Sequence, residues 1–89
     1  MCRNIKPLFN FDPPATEEEI RSSALQFVRK VSGFTHPSRA NEEAFLVAVE
    51  EIAAVSRALL DSLKTTAPHR DRGEEAAKAR ARAARRFGD

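Results

Sequence analysis

The sequence predicts an all-α fold, and three observations carry that reading. Two segments set apolar residues at helical spacing, a third is rich in alanine and arginine, and proline-bearing stretches separate them. The expected architecture is an antiparallel two-helix hairpin, with an extended N-terminal arm packed across it and a basic C-terminal third helix. All of it belongs to one domain spanning residues 1–89.

Residues 1–15, MCRNIKPLFNFDPPA, form the arm, because Pro7, Pro13 and Pro14 forbid a continuing helix. Ile5, Leu8, Phe9 and Phe11 are too apolar for a free tail, so the arm is expected to lie on the helices and add to the core. Helix 1 is assigned to residues 16–33. Thr16 with Glu19 three residues later is a capping box, and Glu17 and Glu18 suit the positive end of a helix dipole. Ile20, Ala24, Phe27, Val28 and Val31 then follow on one face. Arg29 and Lys30 suit the C-terminal end, and Gly33 fits the position just past it.

The turn 34–41 contains Pro37, which cannot sit in mid-helix. Ser38 or Asn41 can cap the next helix, with Ser38 favoured because Pro37 precedes it, so helix 2 is assigned to residues 39–64. Its apolar row is Phe45, Val49, Ile52, Ser56, Leu59 and Leu63, flanked by Leu46, Ala53 and Leu60 on one side and Ala48 and Val55 on the other. These positions cover about half the circumference, more than the ~100° stripe of a surface helix, so helix 2 needs more than one neighbour. Pro68 closes it. The last helix is assigned to residues 72–87, opened by Asp71 and Glu74 in the manner of a capping box. Ala76, Ala83, Ala84 and Phe87 share one face, Lys78, Arg82, Arg85 and Arg86 the opposite one, and Arg80 interrupts the alanines. High helix propensity with weak docking is the expectation here.

Composition bounds the function. A chain of 89 residues buries roughly 60–65% of its unfolded surface, which leaves little room for a large enclosed substrate cavity. No apolar run approaches the ~20 residues of a membrane span, and no signal-peptide pattern opens the chain, so no membrane and a cytoplasmic location are expected. The single Cys2 cannot form an internal disulfide. Net charge is +2 but uneven: residues 1–11 carry two basic groups, residues 12–69 six basic and nine acidic, residues 70–89 seven basic and four acidic. Basic ends around an acidic middle suit either nucleic-acid contact or docking of the ends on the middle.

The stretches CRNIKPLFNFDPPATEEEIRSSALQFVRKVSGF, NEEAF, LLDSL and EAAKARARAARRF resemble a family of small bacterial proteins known as domain of unknown function 2277. The resemblance runs from Cys2 to Phe87 and is most distinctive in Cys-Arg-Asn-Ile-Lys and Phe-Asn-Phe-Asp-Pro-Pro-Ala-Thr. It implies a bacterial, cytoplasmic, stand-alone domain. It implies no activity, cofactor or catalytic residue.

Three functional expectations follow. The leading one is a non-enzymatic protein-interaction or structural module, self-associating through the helix 2 row of Phe45, Val49, Ile52, Ser56, Leu59 and Leu63, with Ser56 setting register. The alternative is nucleic-acid binding by Lys78, Arg82, Arg85 and Arg86, weakened by the lack of tyrosine and tryptophan for stacking and by Glu74 and Glu75 nearby. A further alternative is thiol or metal chemistry at Cys2. Removal of Met1 gives a terminus with both a thiol and an α-amine, and Arg3 and Lys6 favour the thiolate. His36 and His69, with Asp12 or Asp71, are weak metal candidates because none shows a recognised ligand spacing. No cofactor is expected. Glu17, Glu18, Glu19, Glu42, Glu43, Glu50 and Glu51 read as solvated surface.

Overall fold

The structure, a computed structural model, describes residues 5–87 and the side chains of residues 5–84. The chain is mostly helical. In order it forms strand β1 (Phe11–Asp12), helix α1 (Glu17–Ser32), a 3-10 turn (Arg39–Asn41), helix α2 (Glu42–Ser62), strand β2 (Arg70–Asp71) and helix α3 (Arg72–Phe87).

The two short strands amend the all-α expectation. They pair in parallel, Phe11 with Arg70 and Asp12 with Asp71. Prolines on both segments keep the backbone extended, so its polar groups must pair outside any helix. Asn10 starts the pairing from a left-handed conformation (φ 67°), its carbonyl accepting from the Arg70 N–H at 2.7 Å. Its side-chain amide donates to the Pro68 carbonyl at 2.9 Å.

Both ends of α1 carry the signals read from the sequence. The Thr16 hydroxyl accepts from the Glu19 N–H at 3.1 Å, and the Glu19 carboxylate accepts from the Thr16 N–H at 2.9 Å. Gly33 ends the helix at φ 78°, a conformation that costs glycine little because it has no Cβ. Asn41 precedes α2 without capping it by its side chain, which instead donates to the Ser38 hydroxyl at 2.8 Å. At α3 the Asp71 carboxylate accepts from the Glu74 N–H at 2.8 Å, a half capping box.

The core is small. Ile20, Ala24 and Val28 of α1 meet Phe45, Val49 and Ala53 of α2, and Leu8, Ala15, Leu25, Ala48, Ile52 and Leu60 close around them. Each triplet repeats at i, i+4 and i+8, one strip of its helix. The buried strip of α2 is therefore centred about 40° away from the row expected for it, toward Ala53 and Leu60. Leu59 and Leu63 fall on the outer edge and stay 55% and 43% exposed. The reason is that α1 and the arm cover only part of a half-apolar circumference, and which part is covered depends on where Leu8 and Ala15 arrive.

Helix α3 stands apart. From 72 to 84 only Arg72 and Glu75 are even half-buried. The radius of gyration is 15.6 Å, against about 12 Å for a compact chain of this length. The alanines offer too little apolar surface to dock it by packing.

Two variants test this core. Ile20→Ala is expected to lower unfolding free energy by about 2–4 kcal/mol. Val47→Asp, on a position 47% exposed, is expected to stay within about 0.5 kcal/mol of wild type. Urea denaturation followed by circular dichroism reads both.

Candidate functional site

Two surfaces invite a functional reading: a cationic cleft between the arm and α3, and an apolar flank of the α1–α2 pair. The cleft is organised by Arg72, the first residue of α3. Its guanidinium takes Glu19 in a two-point grip, Nη1 donating to Oε2 at 2.8 Å and Nη2 to Oε1 at 3.0 Å. The same group donates to the Pro13 carbonyl from Nε at 3.1 Å and from Nη2 at 2.9 Å. It also lies over the Phe11 ring, 5.4 Å from the centroid, with the Arg70 guanidinium at 5.7 Å from the same ring. Both distances are within the range of cation–π attraction. Arg70 lies in β2 and Arg72 opens α3, and both guanidinium groups come to the Phe11 ring across that strand–helix junction.

The cleft thus bounded has a volume of about 420 Å³. Ile5, Pro7, Leu8, Phe11, Ala76 and Ala79 supply its apolar surface. Lys6, Arg70, Arg72 and Arg82 supply cations, and Glu19 and Glu75 the acids. Arg72 is matched by Glu19, and Glu75 lies 3.9 Å from Lys78. Among the described residues no ion pair involves Lys6, Arg70 or Arg82.

Among the described residues Glu19 is the most perturbed acid. The Arg72 guanidinium, then the Thr16 N–H, hold its carboxyl well below the usual range, at about 2. The Glu19 contact in turn raises Arg72 above its ordinary value. Glu19, read from the sequence as solvated surface, is here both the second half of a helix cap and the anchor of α3.

The flank differs. Arg21 and Phe27 each lie about 60° from Ala24 on α1, on opposite sides. On α2, Glu50 and Arg57 lie to one side of Val49, and Ile52, Val55 and Leu59 to the other. One edge of the helix pair is closed by ions: Arg21 pairs with Glu50, and Arg57 with Glu17 at 2.5 Å. The other edge is apolar, a shallow groove lined by Phe27, Glu51, Ile52, Val55 and Ser56. Val55 is 70% exposed in this groove, and Val31 of α1 is 71% exposed, both well above the usual exposure of large apolar side chains.

The residues singled out from sequence scatter. Phe45 and Val49 lie inside the monomer core and present nothing to a partner, which removes them from the expected association face. Ile52 and Ser56 are half-buried, and the Ser56 hydroxyl donates to its own helix, at the Ile52 carbonyl, 2.7 Å away. Leu59 and Leu63 remain at the surface. Lys78 and Arg82 are exposed on α3, and Arg82 turns to the cleft with Ala76 and Ala79. The side chains of Arg85 and Arg86, and all of Cys2 and Arg3, lie outside the described residues. His36 follows α1, whereas His69 lines a second, wider depression with Asp12, Arg57 and Asp61. Among the described residues no three His, Cys, Asp or Glu gather as metal ligands. Arg70, Arg72 and Asn10 were not singled out, because their partners lie 53 to 60 positions away and periodicity is blind at that range.

These features define a small helical protein whose arm and third helix are joined by an arginine clamp. The chain belongs to the family described as uncharacterized conserved protein (DUF2277), whose model matches residues 1–78. No curated protein and no solved structure matches it. No helix among the described residues is long and apolar enough to cross a membrane.

The lowered Glu19 pKa makes a pH prediction. Its folded value, about 2, lies below the ordinary 4.5. The clamp therefore contributes full stability above 4.5 and loses it progressively as pH falls toward about 2. Arg72→Ala is expected to shrink that acid-side loss relative to wild type. Urea midpoints measured across this window check it; parallel curves for the two proteins would remove the clamp as the cause.

Proposed function

We propose that this chain is a non-enzymatic interaction module that associates with a second copy of itself through the apolar flank of an antiparallel α1–α2 hairpin. The order of the ion pairs supports the hairpin: Glu17 meets Arg57 and Arg21 meets Glu50, so α1 advances as α2 retreats. The observation that carries the association is the apolar groove of Phe27, Ile52 and Val55, with Val31 and Leu59 also exposed on the same two helices, while the opposite edge is closed by ions. Contiguous apolar surface of this kind on a small protein marks a contact site.

A second copy is the occupant favoured by charge. Lys30 lies beyond Phe27 on α1 and Glu51 beyond Val55 on α2, each exposed. A two-fold axis across the strip brings the basic margin of one copy toward the acidic margin of the other, the self-complementarity that a symmetric dimer requires. Leu59 keeps its place in the expected face, joined by Phe27, Val31 and Val55, while Phe45 and Val49 act within the monomer. A cytoplasmic location belongs to the same reading.

Sedimentation equilibrium over the micromolar range is the test. Wild type is expected to shift from 9.9 kDa toward twice that mass with concentration. Val55→Asp is expected to keep the helical spectrum and remain monomeric. A wild-type protein that stays at the monomer mass throughout removes the proposal.

A further inference from the structure

We infer that the cleft between the arm and α3 is a binding site for a small organic phosphate monoester with an aromatic or short aliphatic body. Its volume, about 420 Å³, falls within the ~300–1,000 Å³ typical of small-molecule sites. Such sites combine an apolar lining with a few convergent polar groups. Here Ile5, Leu8 and Phe11 provide the lining from the arm, and Ala76 and Ala79 from α3. The two alanines end at Cβ, which leaves space beside the Phe11 ring.

Charge selects the headgroup. Four cations and two carboxylates line the cleft. Glu19 answers Arg72 at 2.8 Å, leaving Lys6, Arg70 and Arg82 against Glu75 alone. The excess is two positive charges. A phosphate monoester carries about −1.5 to −2 near pH 7, which matches the excess charge, and its three acceptor oxygens can each face one of the three cationic groups. Arginine forks suit phosphate geometry, and lysine adds a point charge. A single carboxylate leaves one cation uncompensated. The apolar surface distinguishes an esterified phosphate from the free ion, because only the ester has a body to bury.

The cleft is assembled by parts distant in sequence, so occupancy is coupled to α3 docking. Arg72 is already committed to Glu19 and Pro13, and the Arg70 backbone two residues before it is held by the Asn10 carbonyl. The ligand is therefore held by Lys6, Arg70 and Arg82, and the clamp serves as a positioning element. Nothing in this site depends on the flank proposed for self-association, so either reading can fail alone.

The test is an amide NMR titration of the full chain with phenyl phosphate, with inorganic phosphate, phenol and a short oligothymidylate as parallel arms. Phenyl phosphate is expected to saturate, with shifts confined to the arm, β2 and the first half of α3. Inorganic phosphate and phenol are each expected to bind at least about tenfold more weakly. Arg82→Glu lies on an exposed helix face, so it is expected to leave the remaining spectrum unchanged while weakening phenyl phosphate by about tenfold or more. Lys6→Glu is expected to act in the same direction. No saturation, equal binding of the free ion, or unchanged affinity in both variants overturns the assignment. Tight oligothymidylate binding without saturation by phenyl phosphate overturns it in favour of a nucleic-acid surface.

Discussion

The architecture depends on one side chain, Arg72. Helix α3 is too poor in apolar residues to dock by packing, and the two-residue strands hold few backbone hydrogen bonds. What joins α3 to the arm and to α1 is a guanidinium that contacts Glu19, Pro13 and Phe11 together. Planar, five-donor geometry makes this possible, and lysine offers no equivalent. Glu19 carries a matching load, because the oxygen that completes the α1 cap also accepts from Arg72. A local helix signal and a long-range contact therefore share one carboxylate, so the position of α3 is referenced to the start of α1.

The edges of the α1–α2 pair show a different constraint. A helix apolar over half its circumference cannot be covered by one partner helix and a short arm. The uncovered part faces outward as Val55 and Leu59, with Val55 beside Phe27 of α1. Closing the opposite edge by ion pairs between exposed side chains contributes little stability, since such pairs are worth about 0–1 kcal/mol. Its effect is to favour one relative rotation of the helices, which determines which apolar residues stay outside.

Much of the helical framework was legible along the chain. Thr16 and Glu19 marked the start of α1, Gly33 its end, and Asp71 with Glu74 the start of α3. These are local signals: a cap bonds a group three residues away, and a left-handed glycine ends a helix without outside help. The apolar row of α2 was legible too, but its buried centre was not. Periodicity shows which residues are apolar, whereas burial depends on which neighbour arrives at which angle. The functional surfaces were least legible. Arg82 reads in the sequence as one of four cations on a basic helix face suited to nucleic acid, and only the proximity of the arm makes it part of a cleft. Arg70 and Arg72 looked like two more charges in a basic tail.

By itself, then, the sequence determined the three helices, the caps of α1 and the opening of α3, the membership of the family and the apolar character of the pair that forms the core. Tertiary structure alone decided the β1–β2 pairing, the Arg72 clamp, the rotation that buries Ala53 and leaves Leu59 outside, and the joining of arm and α3 cations around one cleft. The physical reason is range. Caps and periodic stripes are settled within a few residues, but a salt bridge between positions 19 and 72 exists only once the chain has folded back, and nothing local distinguishes its partners beforehand.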